Sequence, residues 1–330
     1  MNRASPNYYT PMHPYAALTP DVVLDALSEL GLRPDGRLLA LSSYENRVYQ
    51  VWLEDGSTVV AKFYRPGRWS EAQIEEEHAF AQELAEREIP VVAPAYKGKS
   101  SGFNYAVYPR RGGRTPELGD PKTLEWIGRF MGRIHAIGAT KPFAHREALT
   151  PQTFGHDPRE YLLSTSFIPA DLLEAWKAVT EQALLMVDGC YARAGAVNTI
   201  RLHGDCHPGN ILWTDDGPHF VDLDDARMGP AMQDLWMLLS GDRASMSRQL
   251  RAVLDGYEQF AAFDRKELNL LEALRTLRLI HYSAWIARRW DDPAFPAAFP
   301  WFNTQRYWQD RILELREQVA LMQEEPLAVD

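Results

Sequence analysis

Eight consecutive residues constrain this chain more than any other feature. His203-Gly204-Asp205-Cys206-His207-Pro208-Gly209-Asn210 separates two short apolar runs, at 199–202 and 211–213. So many polar groups, with a proline and two glycines, carry neither helical nor strand periodicity. The stretch is therefore predicted as a loop held by a strand on each side. A third apolar run follows at 219–223, and in it Asp222 lies twelve residues beyond Asn210. A carboxylate ending an apolar strand emerges where a ligand reaches it. The rest of the second half reads as helix, with candidates at 121–138, 157–165, 170–194, 231–240, 244–262, 264–290 and 304–323.

The first half reads differently. Residues 1–19 hold three prolines and little periodicity and are predicted as a flexible arm. A short helix follows, capped by Thr19 or Asp21, with Val22, Val23, Ala26, Leu27 and Leu30 on its inner face, and ended by Gly31. Strands are predicted at 37–42, 46–53, 58–64 and 103–108, with Asp55-Gly56 as a hairpin turn. Between them, 70–88 is a helix with Ser70 as its N-cap. Pro109 to Arg114 breaks all periodicity. The expected organisation is therefore an α+β chain of two lobes, a β-rich one at 20–110 and a helical one at 111–330.

The residue types at these positions are those phosphoryl transfer requires. Mg²⁺ must bridge phosphate oxygens and takes hard oxygen ligands, which Asn210 and Asp222 offer. The attacking hydroxyl needs a proton acceptor, which suits Asp205. An ammonium is needed against the phosphates. Lys62 sits mid-strand in Val59-Val60-Ala61-Lys62-Phe63, a costly place for a charge unless it is paired. In the helix at 70–88, Glu77 lies three residues after Ile74 and four before Ala81, so it faces inward with them. A buried Lys62–Glu77 pair is expected, with Glu76 the next candidate. Other readings of the same stretches fail. Gly98-Lys99-Ser100 lacks the glycine a phosphate-binding loop needs five residues earlier, where Ala93 stands. His203, Cys206 and His207 have no distant fourth ligand for a structural zinc.

The order of these parts resembles the aminoglycoside phosphotransferase and choline kinase branch of the protein-kinase-like superfamily. That branch carries HGD-x₄-N and an Asp-x-Asp, as at Asp222-Leu223-Asp224. Closer still, Ser42–Tyr49, Lys62–Pro66, His203–Trp213, Phe220–Arg227, Gln233–Leu239 and Arg288–Pro296 resemble the RdoA-type family of bacterial serine/threonine protein kinases over nearly the whole chain. The resemblance implies a bilobal kinase-like fold and transfer of phosphate from ATP to a protein serine or threonine, with autophosphorylation and a role in stress survival. It implies Asp205 as catalytic base, Asn210 and Asp222 as Mg²⁺ ligands, Lys62 as phosphate anchor and Ser43 as an ATP contact in the covering loop. It gives Asp234 the task of bracing the catalytic loop, and makes His203 structural. One departure stands out: the covering loop, Ser42 to Asn46, contains no glycine.

Composition narrows the partners. A net charge of −10 argues against a general nucleic-acid binder. No apolar run reaches membrane-spanning length, no secretion signal is legible, and two cysteines form no disulfide framework, so a cytoplasmic monomer is expected. Two rivals stay open from the residues alone. One is a small-molecule kinase acting on an amino alcohol, sugar or aminoglycoside. The other is a binding protein of the same fold without turnover, against which the intact Lys62, Asp205, Asn210 and Asp222 argue.

Overall fold

The computed structural model describes residues 13–329. They group into two compact units. Unit 1 takes the described residues up to Trp69, then Ala95–Arg110 and Arg289–Phe299; unit 2 takes Ser70–Pro94, Arg111–Arg288 and the described residues from Pro300 onward.

Unit 1 begins with helix α1 (Pro20–Glu29), whose Thr19 cap accepts a hydrogen bond from Val22 N. Five antiparallel strands follow: β1 (Pro34–Ala40), β2 (Arg47–Leu53), β3 (Thr58–Phe63), β4 (Tyr96–Ser100) and β5 (Phe103–Pro109), in the order β1-β2-β3-β5-β4. Val23, Ala26 and Leu27 of α1 pack on Val51, Ala61, Phe63, Tyr105 and Val107 of the sheet. The Asp55-Gly56 turn is formed, with Asp55 Oδ1 accepting from Ser57 N.

Two features of this unit depart from expectation. Residues 1–12 of the predicted arm lie outside the described residues, but Tyr15 and Leu18 are buried in the unit 1 core. The Tyr15 hydroxyl also donates to the carbonyl of Glu45, so this part of the arm is pinned. Strand β4 was not expected, because Tyr-Lys-Gly-Lys-Ser has no apolar alternation to reveal it. It is an edge strand, and a Cβ on Gly98 would meet Tyr105 Oη at 2.7 Å, so this glycine makes room for a ring.

Unit 2 contains helices α2 (Glu71–Glu86), α3 (Pro121–Gly138), α4 (Asp157–Leu163), α5 (Leu173–Ala194), α6 (Met232–Trp236), α7 (Arg243–Tyr257) and α8 (Leu271–Ala287), and a last helix at Gln305–Leu321. Helix α2 starts in a capping box: Ser70 Oγ accepts from Gln73 N, and Gln73 Oε1 from Ser70 N. Helices α3 and α7 approach closely because their contact is made of glycine. A Cβ at Gly128 would lie 2.0 Å from Val253 O, and one at Gly256 2.0 Å from Glu125 O. The helix expected at 264–290 is broken. A 3₁₀ stretch at Arg265–Leu270 precedes α8, because Asp264 caps it and Glu267 turns inward to accept the N–H of Met232.

The predicted β patch is two hairpin-like pairs. Strand β6 (Ile200–Leu202) pairs with β9 (Arg227–Gly229), and β7 (Ile211–Thr214) with β8 (Gly217–Phe220). Their connections carry the polar loops. The mixed α+β class agrees with the expectation. Among the described residues, no helix is long and apolar enough to cross a membrane.

Candidate active site

The β7–β8 hairpin assembles the polar residues of unit 2. Ile211 pairs with Phe220, and Val221 N donates to Asn210 O at 3.0 Å, so Asn210 and Asp222 emerge together at its open end. Asn210 Nδ2 donates to the Asp205 carbonyl at 2.9 Å. That bond fixes the amide and directs its oxygen away as an acceptor. Asp222 has φ 62° and ψ 64°, the left-handed region. Aspartate tolerates that region better than most residues, yet the conformation costs about 1 kcal/mol, and such strain concentrates at functional positions. The carboxylate is exposed. Together the pair presents a carboxylate oxygen and an amide oxygen, the donor types a hard divalent cation takes.

The loop bearing Asp205 is held from beneath. Asp234, at the start of α6, is fully buried and accepts Gly204 N at 2.8 Å and His203 N at 2.9 Å. Its third donor is His135 Nε2 at 3.0 Å, and His135 Nδ1 meets the Tyr257 hydroxyl at 3.0 Å. A neutral imidazole with its proton on Nε2 satisfies both. Asp234 thus has the bracing position the resemblance gave it. Gly204 has φ +87°, and a Cβ there would stand 2.1 Å from Asp225 O, so the loop admits no other residue. His203 is buried with Nε2 donating to Val221 O at 2.9 Å, a packed histidine as expected.

Asp205 itself is paired. Arg278 of α8 donates to Oδ1 at 2.7 Å, and His207 Nε2 lies 3.6 Å from Oδ2. Burial, the largest influence on His207, holds its pKa below the ordinary value despite Asp205, so the ring is neutral at pH 7. Cys206 is fully buried with its thiol pushed well up by burial, and among the described residues no cluster of three His, Cys, Asp or Glu fits a metal.

Glu77 is buried on the inner face of α2, as its spacing required. Within unit 2 it meets Arg146 Nη2 at 3.2 Å. Arg146 also donates to the carbonyls of Gln73, Asp224 and Ala226, at 2.7–2.9 Å. It therefore ties α2 to the segment that follows Asp222. Glu76, the next candidate after Glu77, accepts the backbone N–H groups of His145 and Arg146. Asp225 is ion-paired with Arg227 at 2.7 Å, and Asp224 is buried.

Lys62 and Ser43 belong to unit 1. Lys62 is buried in β3 with Nζ 4.6 Å from the ring centre of Tyr64 and 5.5 Å from that of Tyr108. Ser43 is half-buried, its hydroxyl donating to Asn46 O at 3.0 Å. Sequence reasoning missed Arg278 and Arg146. Arg278 had a legible signal: it continues the buried stripe of Leu271 and Leu274, as Glu77 does in α2. Arg146 had none, since it lies in an aperiodic loop.

Comparison with known proteins agrees with this geometry. Residues 37–271 match the model of the phosphotransferase enzyme family. Stress response kinase A of Escherichia coli strain K12 is 46% identical over 318 residues, covering 95% of this chain and 96% of that protein. The serine/threonine protein kinase RdoA of Salmonella typhimurium strain LT2 matches with the same identity and coverage. Among solved structures, the amicoumacin kinase hAmiN superposes with a TM-score of 0.68 at 17% identity, covering 92% of this chain and 93% of that one. The choline kinase LicA of Streptococcus pneumoniae gives 0.63 at 16%, covering 91% and 98%. The fold is kinase-like, with the five-stranded sheet in unit 1 and most of the helices in unit 2, and the chain belongs to the phosphotransferase enzyme family, alongside the stress response kinase A proteins.

Proposed function

We propose that this kinase-family chain is an ATP- and Mg²⁺-dependent serine/threonine protein kinase that phosphorylates itself and protein partners in a bacterial stress response. The observation that carries the chemistry is the grouping of Asp205, Asn210 and Asp222 around one hairpin, with Asp234 fixing the loop beneath. The protein acceptor is supported by 46% identity, over 95% of the chain, to proteins named for serine/threonine and stress-response kinases.

In this reading Asp205 takes the proton of the acceptor hydroxyl as the hydroxyl oxygen attacks the terminal phosphorus of ATP, the bond from that phosphorus to the β,γ-bridging oxygen breaks, and ADP leaves with the bonding pair. Arg278 fixes the rotamer of that carboxylate. Asn210 and Asp222 would hold Mg²⁺, which when bound neutralises charge on the phosphate oxygens. Unit 1 contributes Lys62 as phosphate anchor and Ser43 as the covering-loop contact. Glu77 acts as a positioning residue, with its carboxylate on Arg146. A cytoplasmic monomer belongs to the same proposal.

The test is a labelled-ATP assay with Mg²⁺. The expected product is phosphoserine or phosphothreonine on the chain or on a basic protein acceptor. Asp205→Asn should lower transfer by about 10²–10⁴ while the chain stays folded. A near-normal rate would remove Asp205 from the mechanism. A second reading is favoured by the fold neighbours named as amicoumacin and choline kinases. In it, half-buried Tyr282 and Trp285, stacked at 5.7 Å, would face a small acceptor. Fast, saturable ATP turnover with choline, homoserine or an aminoglycoside, without labelled protein, would decide for that reading.

A further inference from the structure

A loop that covers ATP is usually shaped by glycines, whose free backbone closes over phosphate. Ser42 to Asn46 has none, so side chains must set its conformation. They reach it from a distant segment, since Arg289–Phe299 is part of unit 1. Glu45 is buried and meets Arg289 Nε at 2.5 Å and Arg68 Nη1 at 3.4 Å. Asn46 is buried, and its Oδ1 accepts Arg65 N at 3.1 Å. Asp292 is buried and pairs with Arg65 at 2.8 Å and Arg47 at 3.2 Å. Tyr44 packs against Phe299, the rings tilted by 56° with their centres 4.8 Å apart.

Asp292 is itself locked. Its Oδ1 accepts Ala294 N at 3.1 Å, starting the turn Ala294–Ala298 that sets Phe295 and Phe299. Burial works against its charge, yet that N–H with the Arg65 and Arg47 guanidiniums keeps its carboxyl below the usual range. Each residue from Tyr44 to Arg47 thus bonds to or packs against this segment or the arginines it holds. A buried ionic cluster stabilises weakly compared with an apolar core, and its best-attested use is to fix one arrangement.

We propose that Arg289–Phe299 is a strap that positions the glycine-free loop Ser42–Asn46, with Asp292, Arg289 and Glu45 as positioning residues that set the affinity for ATP. The inference rests on the kinase reading above and names what sets nucleotide affinity within it. The strap orders the loop before nucleotide arrives, so its loss should be felt in binding rather than in the chemical step.

The experiment is steady-state kinetics with Mg²⁺-ATP and a basic protein acceptor, on the full chain. Variants are Asp292→Asn, Glu45→Gln, Arg289→Lys and the double variant Glu45→Gln/Arg289→Lys. Thermal melting of each confirms folding. Asp292→Asn should raise KM for ATP about tenfold with kcat within about threefold, the signature of lost binding common to ground and transition states. The double variant should raise KM by less than the product of the single effects, because the two residues act through one contact. Should Asp292→Asn fail to fold, Arg289→Lys, which keeps the cluster's charge, carries the same KM test. A fall in kcat at unchanged KM, or singles that multiply, would overturn the strap. A wild-type chain that neither binds nor turns over ATP would instead remove the kinase reading, and the strap's role with it.

Discussion

Asp234→Asn probes how the Asp205 loop is held. The carboxylate accepts three N–H groups, Gly204 N on Oδ1 and both His203 N and His135 Nε2 on Oδ2, at 2.8, 2.9 and 3.0 Å. Asparagine has the same shape but a single acceptor oxygen. With that oxygen toward Gly204, its NH₂ faces the His203 N–H. Turned over, the NH₂ faces the Gly204 N–H. His135 can adapt by moving its proton to Nδ1, but a backbone N–H cannot. One buried donor therefore loses its acceptor in either orientation. A hydrogen bond to a charged group contributes about 1.5–3 kcal/mol, and with an orphaned donor the loss comes to about 2–4 kcal/mol. At about 2–4 °C per kcal/mol for a large chain, melting should fall by roughly 5–15 °C. The assay is circular dichroism melting, with phosphoryl transfer measured on the same sample well below the transition. Transfer should fall at least about tenfold, since Gly204 directly precedes the proposed base and lost positioning is costly to rate. A melting shift under about 2 °C, which is below 1 kcal/mol, with normal transfer would show that the carboxylate does not hold the loop.

Gly128→Ala drives a methyl into Val253 O and should destabilise by at least about 1–3 kcal/mol, whereas Gly119→Ala, which meets nothing, should leave the melting temperature near that of the parent. Arg146→Met removes the guanidinium that Glu77 and three carbonyls share, and should cost about 3–5 kcal/mol in urea unfolding; a loss under about 1 kcal/mol would mean the crosslink is dispensable. Burial raises the Glu267 carboxyl to about 7 from 4.5, so its contribution to stability is full below pH 4.5 and is lost as pH rises through 7. Glu267→Gln, which can still accept Met232 N, should stabilise the chain at pH 8 by on the order of 3 kcal/mol and by little at pH 4.5, and an equal effect at both pH values would contradict this.

The proposed catalytic constellation was legible because phosphoryl transfer demands few residue types in a fixed order. Asn210 and Asp222 emerge at the open end of one hairpin with Asp205 tied to Asn210, and Glu77 is buried because helical geometry left it no other face. Strands β2, β3 and β5 could be read from β-branched and aromatic residues. Strand β4 could not, since an edge strand needs no apolar face. The break before α8 was hidden because the apolar pattern continues across it, and only the tertiary bond from Glu267 to Met232 reveals it. Arg146 was illegible for a different reason. The partners of its guanidinium described above come from α2 and the segment after Asp222, distances that no local pattern encodes.

The strap also sets an order of events during synthesis. Arg47 and Asp292 are 245 positions apart, so the sheet of unit 1 leaves the ribosome long before the carboxylate that secures its first loop. At about 5–20 residues per second, that interval lasts roughly 12–50 seconds. Most of unit 2 emerges within it and can fold by its own contacts. The loop proposed to cover ATP then matures only after the strap has been made. A nascent chain, or one cut short before residue 289, would carry Asp205 and its brace yet lack the contacts that order this loop, so competence toward nucleotide would arrive only once Arg289–Phe299 has emerged.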